Sequence, residues 1–99
     1  MILINKTISF ADSSEQEGIR WIKNTYVPLL NACNDIELAQ FFKIETLPDV
    51  DKCYALQLRF SHSENYLHFC EKYQSDFMQA ILLKFSGNIA MFETILEEL

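Results

Sequence analysis

The most constraining feature of this sequence is a strand pattern that leads directly into a long helical pattern, between Lys52 and Phe85. From Cys53 to Ser61 every second residue is strongly apolar, which is the period of a strand with one buried face. That apolar phase consists of Tyr54, Leu56, Leu58 and Phe60. Apolar residues then recur at helical steps of three and four, at Tyr66, Phe69, Cys70, Tyr73, Phe77, Ala80, Ile81 and Phe85. We expect the strand and the helix to pack together, because each must bury one face.

The limits of this helix are also indicated by local signals. Ser61 and Glu64 have the S-x-x-E spacing of a capping box, in which each side chain satisfies a backbone donor at the start of a helix. Gly87 can adopt the left-handed conformation that ends one. The pattern between them predicts a single long helix.

The first part of the chain predicts a strand and a helix in the same way. Met1 to Phe10 alternates with Ile2, Ile4, Lys6, Ile8 and Phe10 in one phase. Lys6 is the exception in that apolar phase, and it can bury its stem while its ammonium reaches the edge. Ser14 and Glu17 form a second S-x-x-E pair, so a helix should start near Glu15. Pro28 predicts a kink or a break, followed by a short continuation to about Cys33.

Two further strands complete the chain. Ile36 to Leu47 predicts the second strand, and Pro48, Asp49 and Asp51 predict the turn of a hairpin with the third. Asn88 to Leu96 alternates as the fourth strand. The order is βαββαβ, a single ferredoxin-like α+β domain over residues 1–99, with both helices on one face of a four-stranded antiparallel sheet. The handedness of the two crossovers predicts strand order 4-1-3-2.

Such a sheet leaves its second face uncovered. The residues predicted to lie there are Leu3, Asn5, Thr7, Phe41, Ala55, Gln57, Arg59, Ile89, Met91, Glu93 and Ile95. About half of them are apolar, and an exposed apolar face of this size usually marks an interface. We therefore expect a homodimer through this face, either as two packed sheets or as a dimeric α+β barrel.

Four polar residues of this face, Asn5, Gln57, Arg59 and Glu93, are the candidate ligand-binding residues. In a closed dimer they would point into the interior, where a charged group needs a partner. One interpretation is that Arg59 and Glu93 simply pair with each other, within one chain or across the dimer. The other is a small polar cavity for an anionic or carbonyl-bearing ligand, with Arg59 as anion donor, Asn5 as orienting donor and Glu93 as a general base.

Charge and composition weigh against several classes of partner. A net charge of -6 argues against a nucleic-acid backbone or an anionic membrane surface as the main partner. The same βαββαβ order occurs in RNA recognition modules, but Tyr54 and Leu56, at the positions that would face RNA, belong here to the core phase. We expect a cytoplasmic protein, since the start of the chain has neither the basic region nor the apolar run of a leader. The three cysteines form no C-x-x-C, so we expect free thiols and neither a metal nor a cofactor.

Several segments together resemble a known family. These are ILINKT at the start, WIKNTYVP in the first helix, YALQLRF in the third strand, YLHFCEKYQSDF in the long helix and GNIAMFETILEE at the end. In this order they resemble the bacterial family catalogued as domain of unknown function 4286, over nearly the whole chain. The resemblance implies a ferredoxin-like, dimeric α+β barrel-type fold, and it carries no established activity, cofactor or catalytic residue.

The sequence therefore predicts a self-associating interaction module or small-ligand-binding module, rather than an enzyme. The alternative is a cofactor-independent enzyme resembling the antibiotic-biosynthesis monooxygenases, acting on a small polar aromatic substrate. A pocket of several hundred Å³ would distinguish them. Large residues should fill the helix-facing side and leave any pocket to the open face; they are Phe10, Tyr54, Phe60, Tyr66, Tyr73, Phe77, Phe85 and Phe92.

Overall fold

The computed structural model describes residues 1–45 and 52–99. Its strands are β1 (Ile2–Phe10), β2 (Leu38–Lys43), β3 (Tyr54–Phe60) and β4 (Ile89–Glu97). They form one antiparallel sheet in the order β2-β3-β1-β4, which confirms the predicted strand order. The turn predicted at Pro48, Asp49 and Asp51 lies outside the described residues.

The first helical region consists of several short segments. A 3-10 turn at Asp12–Ser14 precedes α1 (Glu15–Trp21), a π-helical segment follows at Ile22–Tyr26, and α2 spans Val27–Asn31. The start at Glu15 is as predicted, but the capping box is not: Ser14 makes no side-chain cap hydrogen bond, since its backbone is already helical in the 3-10 turn. Pro28 lies in the first turn of α2, which continues directly from the π-helical segment, and Pro28 cannot donate a backbone hydrogen bond to that segment. The irregularity in this helical region therefore comes just before the proline, where Ile22–Tyr26 forms wider π-helical turns.

The second helical region is two helices instead of the single long one predicted. They are α3 (Ser63–Lys72) and α4 (Gln74–Phe85), and between them the backbone of Tyr73 leaves the helical region at φ -124°. The capping box predicted at Ser61 is wrong, because its hydroxyl donates to Glu37 Oε2 at 2.8 Å and His62 becomes the N-cap residue.

The predicted end of this region is confirmed. Ser86 and Gly87 both have positive φ, at 30° and 85°, and the left-handed turn that they form ends α4.

The core lies between one face of the sheet and the helices. We call this side of the sheet the core face; it carries Ile4 and Ile8 of β1 and Leu56, Leu58 and Phe60 of β3, all buried. The helices contribute Ile22, Tyr26, Leu30, Phe69, Ile81 and Phe85 to the same cluster. The Tyr26 hydroxyl donates to the carbonyl oxygen of Phe77 at 2.7 Å, which ties the first helical region to α4.

The register of β4 corrects one sequence prediction. Ile95, Glu93 and Met91 lie opposite Ile4, Lys6 and Ile8, and directly paired residues of an antiparallel ladder project to the same side. The predicted open-face set Ile89, Met91, Glu93 and Ile95 therefore belongs to the core face. The open face, defined as the opposite side of the sheet, receives Ala90, Phe92, Thr94 and Leu96 instead.

The assignment of β2 is corrected in the same way. Phe41 lies opposite Leu56 and so belongs to the core face, whereas Phe42 lies opposite Ala55 on the open face. Both phases of β2 and of β4 contain large apolar residues, so alternation alone could not decide which phase is inside.

Candidate functional site

Three of the four predicted ligand-binding residues lie together on the open face. Asn5 and Gln57 are directly opposite each other on β1 and β3, and Gln57 Nε2 donates to Asn5 Oδ1 at 3.3 Å. Asn5 Nδ2 in turn donates to Thr7 Oγ1 at 3.2 Å. Arg59 lies two residues along β3 from Gln57, on the same side. We call Asn5, Gln57 and Arg59 the polar trio.

Arg59 differs from the amides because its charge is not balanced nearby. Its neighbours across the ladder are Leu3 and Leu38, and its own side chain is half-buried. Within residues 1–45 and 52–99, no carboxylate lies at ion-pair distance from it. An arginine flanked by leucines in this way offers five N–H donors to an incoming group.

Apolar side chains flank the polar trio on the outer strands. Phe92 is 64% exposed, and Leu38, Phe42 and Leu96 are also exposed large apolar residues of the open face. Edge strands β2 and β4 thus carry hydrophobic borders, while the central strands carry the hydrogen-bonding groups. This arrangement combines an apolar contact surface with a polar centre.

Glu93, the fourth predicted residue, is on the other side of the sheet. Its carboxylate Oε2 lies 3.7 Å from Nζ of Lys6, the residue directly opposite it in the ladder. Lys6 is only 5% exposed and is the buried charged residue of the core. Burial lowers the pKa of Lys6, while Glu93, and more weakly Cys70, oppose that shift. Glu93 therefore pairs with Lys6 and takes no part in the polar trio.

Two residues of α3 complete the surroundings of this ion pair. Burial and contact with the Cys70 thiol raise the pKa of the Tyr66 phenol to about 12, with a smaller contribution from Glu93. The Tyr66 ring also packs edge-on against Phe60, with centroids 5.4 Å apart. The sequence pattern places Tyr66 and Cys70 only in an apolar stripe. One signal in the sequence could have revealed these surroundings. Lys6 lies in the apolar phase of β1, and a lysine that points into the core requires a carboxylate close by.

A surface cavity of about 550 Å³ lies along α3 and α4, lined by Cys70, Gln74, Ser75, Met78, Gln79, Leu82 and Leu83. The sequence predicts that any pocket lies on the open face, but this one is on the helical side. Phe92, expected among the residues that fill the helical side, lies on the open face. Tyr73, also expected there, is exposed at the break between α3 and α4. We call this cavity the α3–α4 groove.

A second ionic contact connects the helices to the loop before β2. His68 Nδ1 of α3 contacts Asp35 Oδ2, and Asn65 Nδ2 donates to the other Asp35 oxygen at 3.3 Å. The interaction with His68, followed by that with Asn65, lowers the pKa of Asp35. In the part of the chain that the structure describes, these groups do not form a set of three metal-ligating side chains.

None of the helices in the described ranges combines the length and the apolar character that a bilayer crossing requires.

The comparison with protein families gives one match. The model described as domain of unknown function DUF4286 matches residues 1–99, which confirms the resemblance noted in the sequence. No curated protein matches the chain.

Solved structures resemble the fold at low sequence identity. HapK from Hahella chejuensis has a TM-score of 0.74 at 13% identity, covering 100% of this chain and 93% of its own. A Deinococcus radiodurans protein, described provisionally as an antibiotic biosynthesis monooxygenase, has a TM-score of 0.68 at 11% identity, covering 99% and 92%. A dimeric ferredoxin-like protein from an uncultured marine organism has a TM-score of 0.72 at 8% identity, covering 99% and 97%. At these identities the likeness establishes the ferredoxin-like fold alone.

Proposed function

The chain belongs to the family described as domain of unknown function DUF4286, and on that premise we propose that it is a cytoplasmic, self-associating module. Two copies pack open face to open face, as in a dimeric α+β barrel, and the polar trio lines the space between them. The observation that carries this proposal is the open face itself, with its exposed apolar borders on β2 and β4.

The composition of the open face supports association better than exposure to water. Phe92 and Leu96 on β4 and Leu38 and Phe42 on β2 place large apolar groups at opposite edges of the same surface. A two-fold axis through the centre of the sheet would bring each border onto the partner copy and remove both from water. A structural neighbour described as a dimeric ferredoxin-like protein supports this arrangement by analogy. The free thiols of Cys33, Cys53 and Cys70 fit a reducing cytoplasm.

The polar trio gives the interface a binding capacity. Packing two open faces would bury two copies of Arg59, and a buried guanidinium requires an anion. Asn5 and Gln57 already share one hydrogen bond, yet each amide keeps further donors and acceptors free to orient a bound molecule. The ligand class that fits is a small anionic or carbonyl-bearing molecule held between the sheets, with Arg59 as the anion donor. Glu93 has no part in this site, because it lies on the core face.

A matched pair of charge substitutions tests the association. Phe92→Glu places a carboxylate on the open face, whereas Leu83→Glu places the same charge at a site on α4 that is 74% exposed. Sedimentation velocity should show a monomer for the Phe92 variant and an unchanged dimer for the Leu83 variant. If Phe92→Glu sediments as the wild-type chain does, the open face is not the interface.

The ligand proposal has its own test in the dimer. Arg59→Gln removes the charge and keeps hydrogen-bonding capacity, and Arg20→Gln on α1 provides a matched control. A panel of small carboxylates and phosphate esters is titrated against each protein by calorimetry. Binding that is lost in the Arg59 variant alone supports the site, and equal binding by both variants contradicts it.

The alternative function, a cofactor-independent enzyme similar to antibiotic biosynthesis monooxygenases, is favoured by the α3–α4 groove. Its volume of about 550 Å³ is within the range of small-molecule pockets, and one structural neighbour carries that provisional description. An oxygen electrode with a panel of small phenols tests it directly. Substrate-dependent oxygen uptake that Met78→Trp abolishes would support an enzyme that uses the groove, and no uptake with any phenol would count against it.

A further inference from the structure

We propose that the core face of β4 holds a second site, in which the Lys6 amine, assisted by Glu93, binds small aldehydes or ketones as a reversible imine. This site is separate from the proposed dimer interface, because Lys6 and Glu93 project to the opposite side of the sheet from the polar trio. An experiment that contradicts the dimer interface therefore does not contradict the Lys6 site, and the reverse also holds.

Lys6 is an unusual residue for a purely structural position. It occupies a core-face position of the central strand β1 between Ile4 and Ile8, both of which are buried. An apolar side chain there would avoid the cost of taking an ammonium group out of water, which a paired carboxylate only partly offsets. A desolvated lysine amine is also the nucleophile that covalent catalysis uses, and a neighbouring carboxylate can move the protons.

The proposed site also requires access. Glu93, whose Oε2 lies 3.7 Å from the amine, has a side chain that is 29% exposed. Two residues further along the edge strand, Ile95 is 53% exposed although it also projects to the core face. The helices therefore leave the outer part of β4 open, and this is the edge along which a small carbonyl compound would reach the ion pair. Cys70, which is near enough to Lys6 to influence its pKa, also lines the α3–α4 groove.

The proposed chemistry takes place at the amine. The lone pair of the neutral amine forms a C–N bond to the carbonyl carbon, the C=O π bond breaks, and Glu93 carries a first proton from the nitrogen to the oxygen. Glu93 then accepts the second nitrogen proton and passes it to the hydroxyl group, which leaves as water as the C=N bond forms. The net reaction joins one amine to one carbonyl with loss of one water, and it needs no oxidant or reductant.

The surroundings favour the neutral amine that this step requires. Burial is the largest influence on the pKa of Lys6 and lowers it. The groups that act on the amine are Glu93 from β4 and Cys70 from α3, and Tyr66 of α3 contacts Cys70. Tyr66, with a pKa of about 12, remains a neutral phenol at physiological pH and adds no negative charge to hold the proton on Lys6.

Reductive trapping tests the proposal. The full chain is incubated with propanal and sodium cyanoborohydride at pH 7, which converts any imine into a stable propyl-lysine, and peptide mass mapping locates each modified amine. Lys84 is the internal control, because it also pairs with a glutamate, Glu17 at 3.1 Å, but on the surface. We expect Lys6 to be modified at least about tenfold faster than Lys84, because the lowered pKa of Lys6 leaves more of its amine neutral at this pH. Modification of Lys6 no faster than Lys84 overturns the proposal.

Two variants refine the result. Glu93→Gln should slow the labelling of Lys6 by about tenfold or more if the carboxylate transfers the proton, and unchanged labelling would remove Glu93 from the mechanism. Lys6→Met should abolish the fast adduct and leave the Lys84 adduct in place. Should Lys6→Met not fold, the mapped adducts of the wild-type chain still decide the question.

Discussion

Each face of the sheet carries one buried or half-buried cation, and the two faces differ in whether that charge has a counter-charge. On the core face, Lys6 is buried and has its counter-charge, Glu93, directly across the ladder at 3.7 Å. On the open face, Arg59 lies between Leu3 and Leu38 without such a partner among the described residues. The cation of the core face is therefore balanced by a carboxylate of the same chain, whereas the cation of the open face needs a partner from outside it.

The largest expected effect is a difference between the two faces in how much one phenylalanine contributes to the free energy of unfolding. Phe60→Ala on the core face removes a fully buried ring that packs against Tyr66 and Phe69. We expect it to lower the free energy of unfolding by about 3–5 kcal/mol. Phe92→Ala on the open face should cost well under about 1 kcal/mol in the monomer, because that ring is already exposed. Urea unfolding at a protein concentration low enough to dissociate dimers measures both, and equal losses would contradict the distinction.

A close contact under the core face gives the next largest effect. Gly18 of α1 is buried, and a Cβ added there would collide with the ring of Phe10. Glycine to alanine usually stabilises a helix by up to about 1 kcal/mol, but here we expect Gly18→Ala to destabilise the fold by about 1–3 kcal/mol.

The control for this substitution is the double variant Gly18→Ala with Phe10→Leu, which replaces the flat ring by a smaller side chain. It should recover part of the stability that Gly18→Ala alone loses. Thermal unfolding of the single and double variants makes the comparison, and a more stable Gly18→Ala would show that the contact is loose.

Replacing one member of the Lys6–Glu93 ion pair should lower stability more than replacing both members. Glu93→Gln leaves the Lys6 ammonium buried without its counter-charge, so we expect a loss of about 1–2 kcal/mol, less than for a fully buried pair because Glu93 is partly solvated. Replacing both residues, as Lys6→Met with Glu93→Gln, should restore or exceed wild-type stability. Glu97→Gln on the same strand is the control and should change little. Denaturant titrations of all four proteins decide whether the pair acts as a unit.

The smallest effect is a pH dependence that belongs to Lys6 alone. Because burial lowers its pKa below the ordinary value of 10.5, the unfolded chain binds more protons than the folded chain between the lowered pKa and 10.5. The free energy of unfolding should therefore rise with pH through that window, and below it the unfavourable contribution of Lys6 is fully present. Lys6→Met should remove this slope, as seen in the difference between the two proteins from pH 7 to pH 10.5. If the free energies of unfolding of the two proteins change in parallel with pH, the lowered pKa of Lys6 is contradicted.

The same comparison explains what the sequence could and could not predict about the fold. In β1 and β3 one phase is mostly apolar and the other polar, so the inward faces of Ile4 and Leu58 were predictable. In β4, Met91 and Phe92 are equally suited to the core, and only pairing with β1 decides between them. The break at Tyr73 was invisible because the apolar spacing continues across it. The capping boxes failed where other contacts competed, as when Ser61 bonds Glu37.

The candidate site was predictable on β1 and β3, and it was not predictable on β4. Asn5, Gln57 and Arg59 were correctly placed on one face because the phases of β1 and β3 were clear, although their ligand-binding role stays a prediction. Glu93 was misplaced together with the rest of β4. The unusual inward position of Lys6 was recognised, but its partner could only be found once the register was known.

The most direct test of the central claim is the solution mass of the wild-type chain, measured by light scattering across a dilution series. We predict a species of twice 11.6 kDa that dissociates only at low concentration, because the open face needs a second copy to cover it. A mass of 11.6 kDa at every concentration would contradict it and would leave Phe92, Leu96 and Arg59 facing water in the free protein.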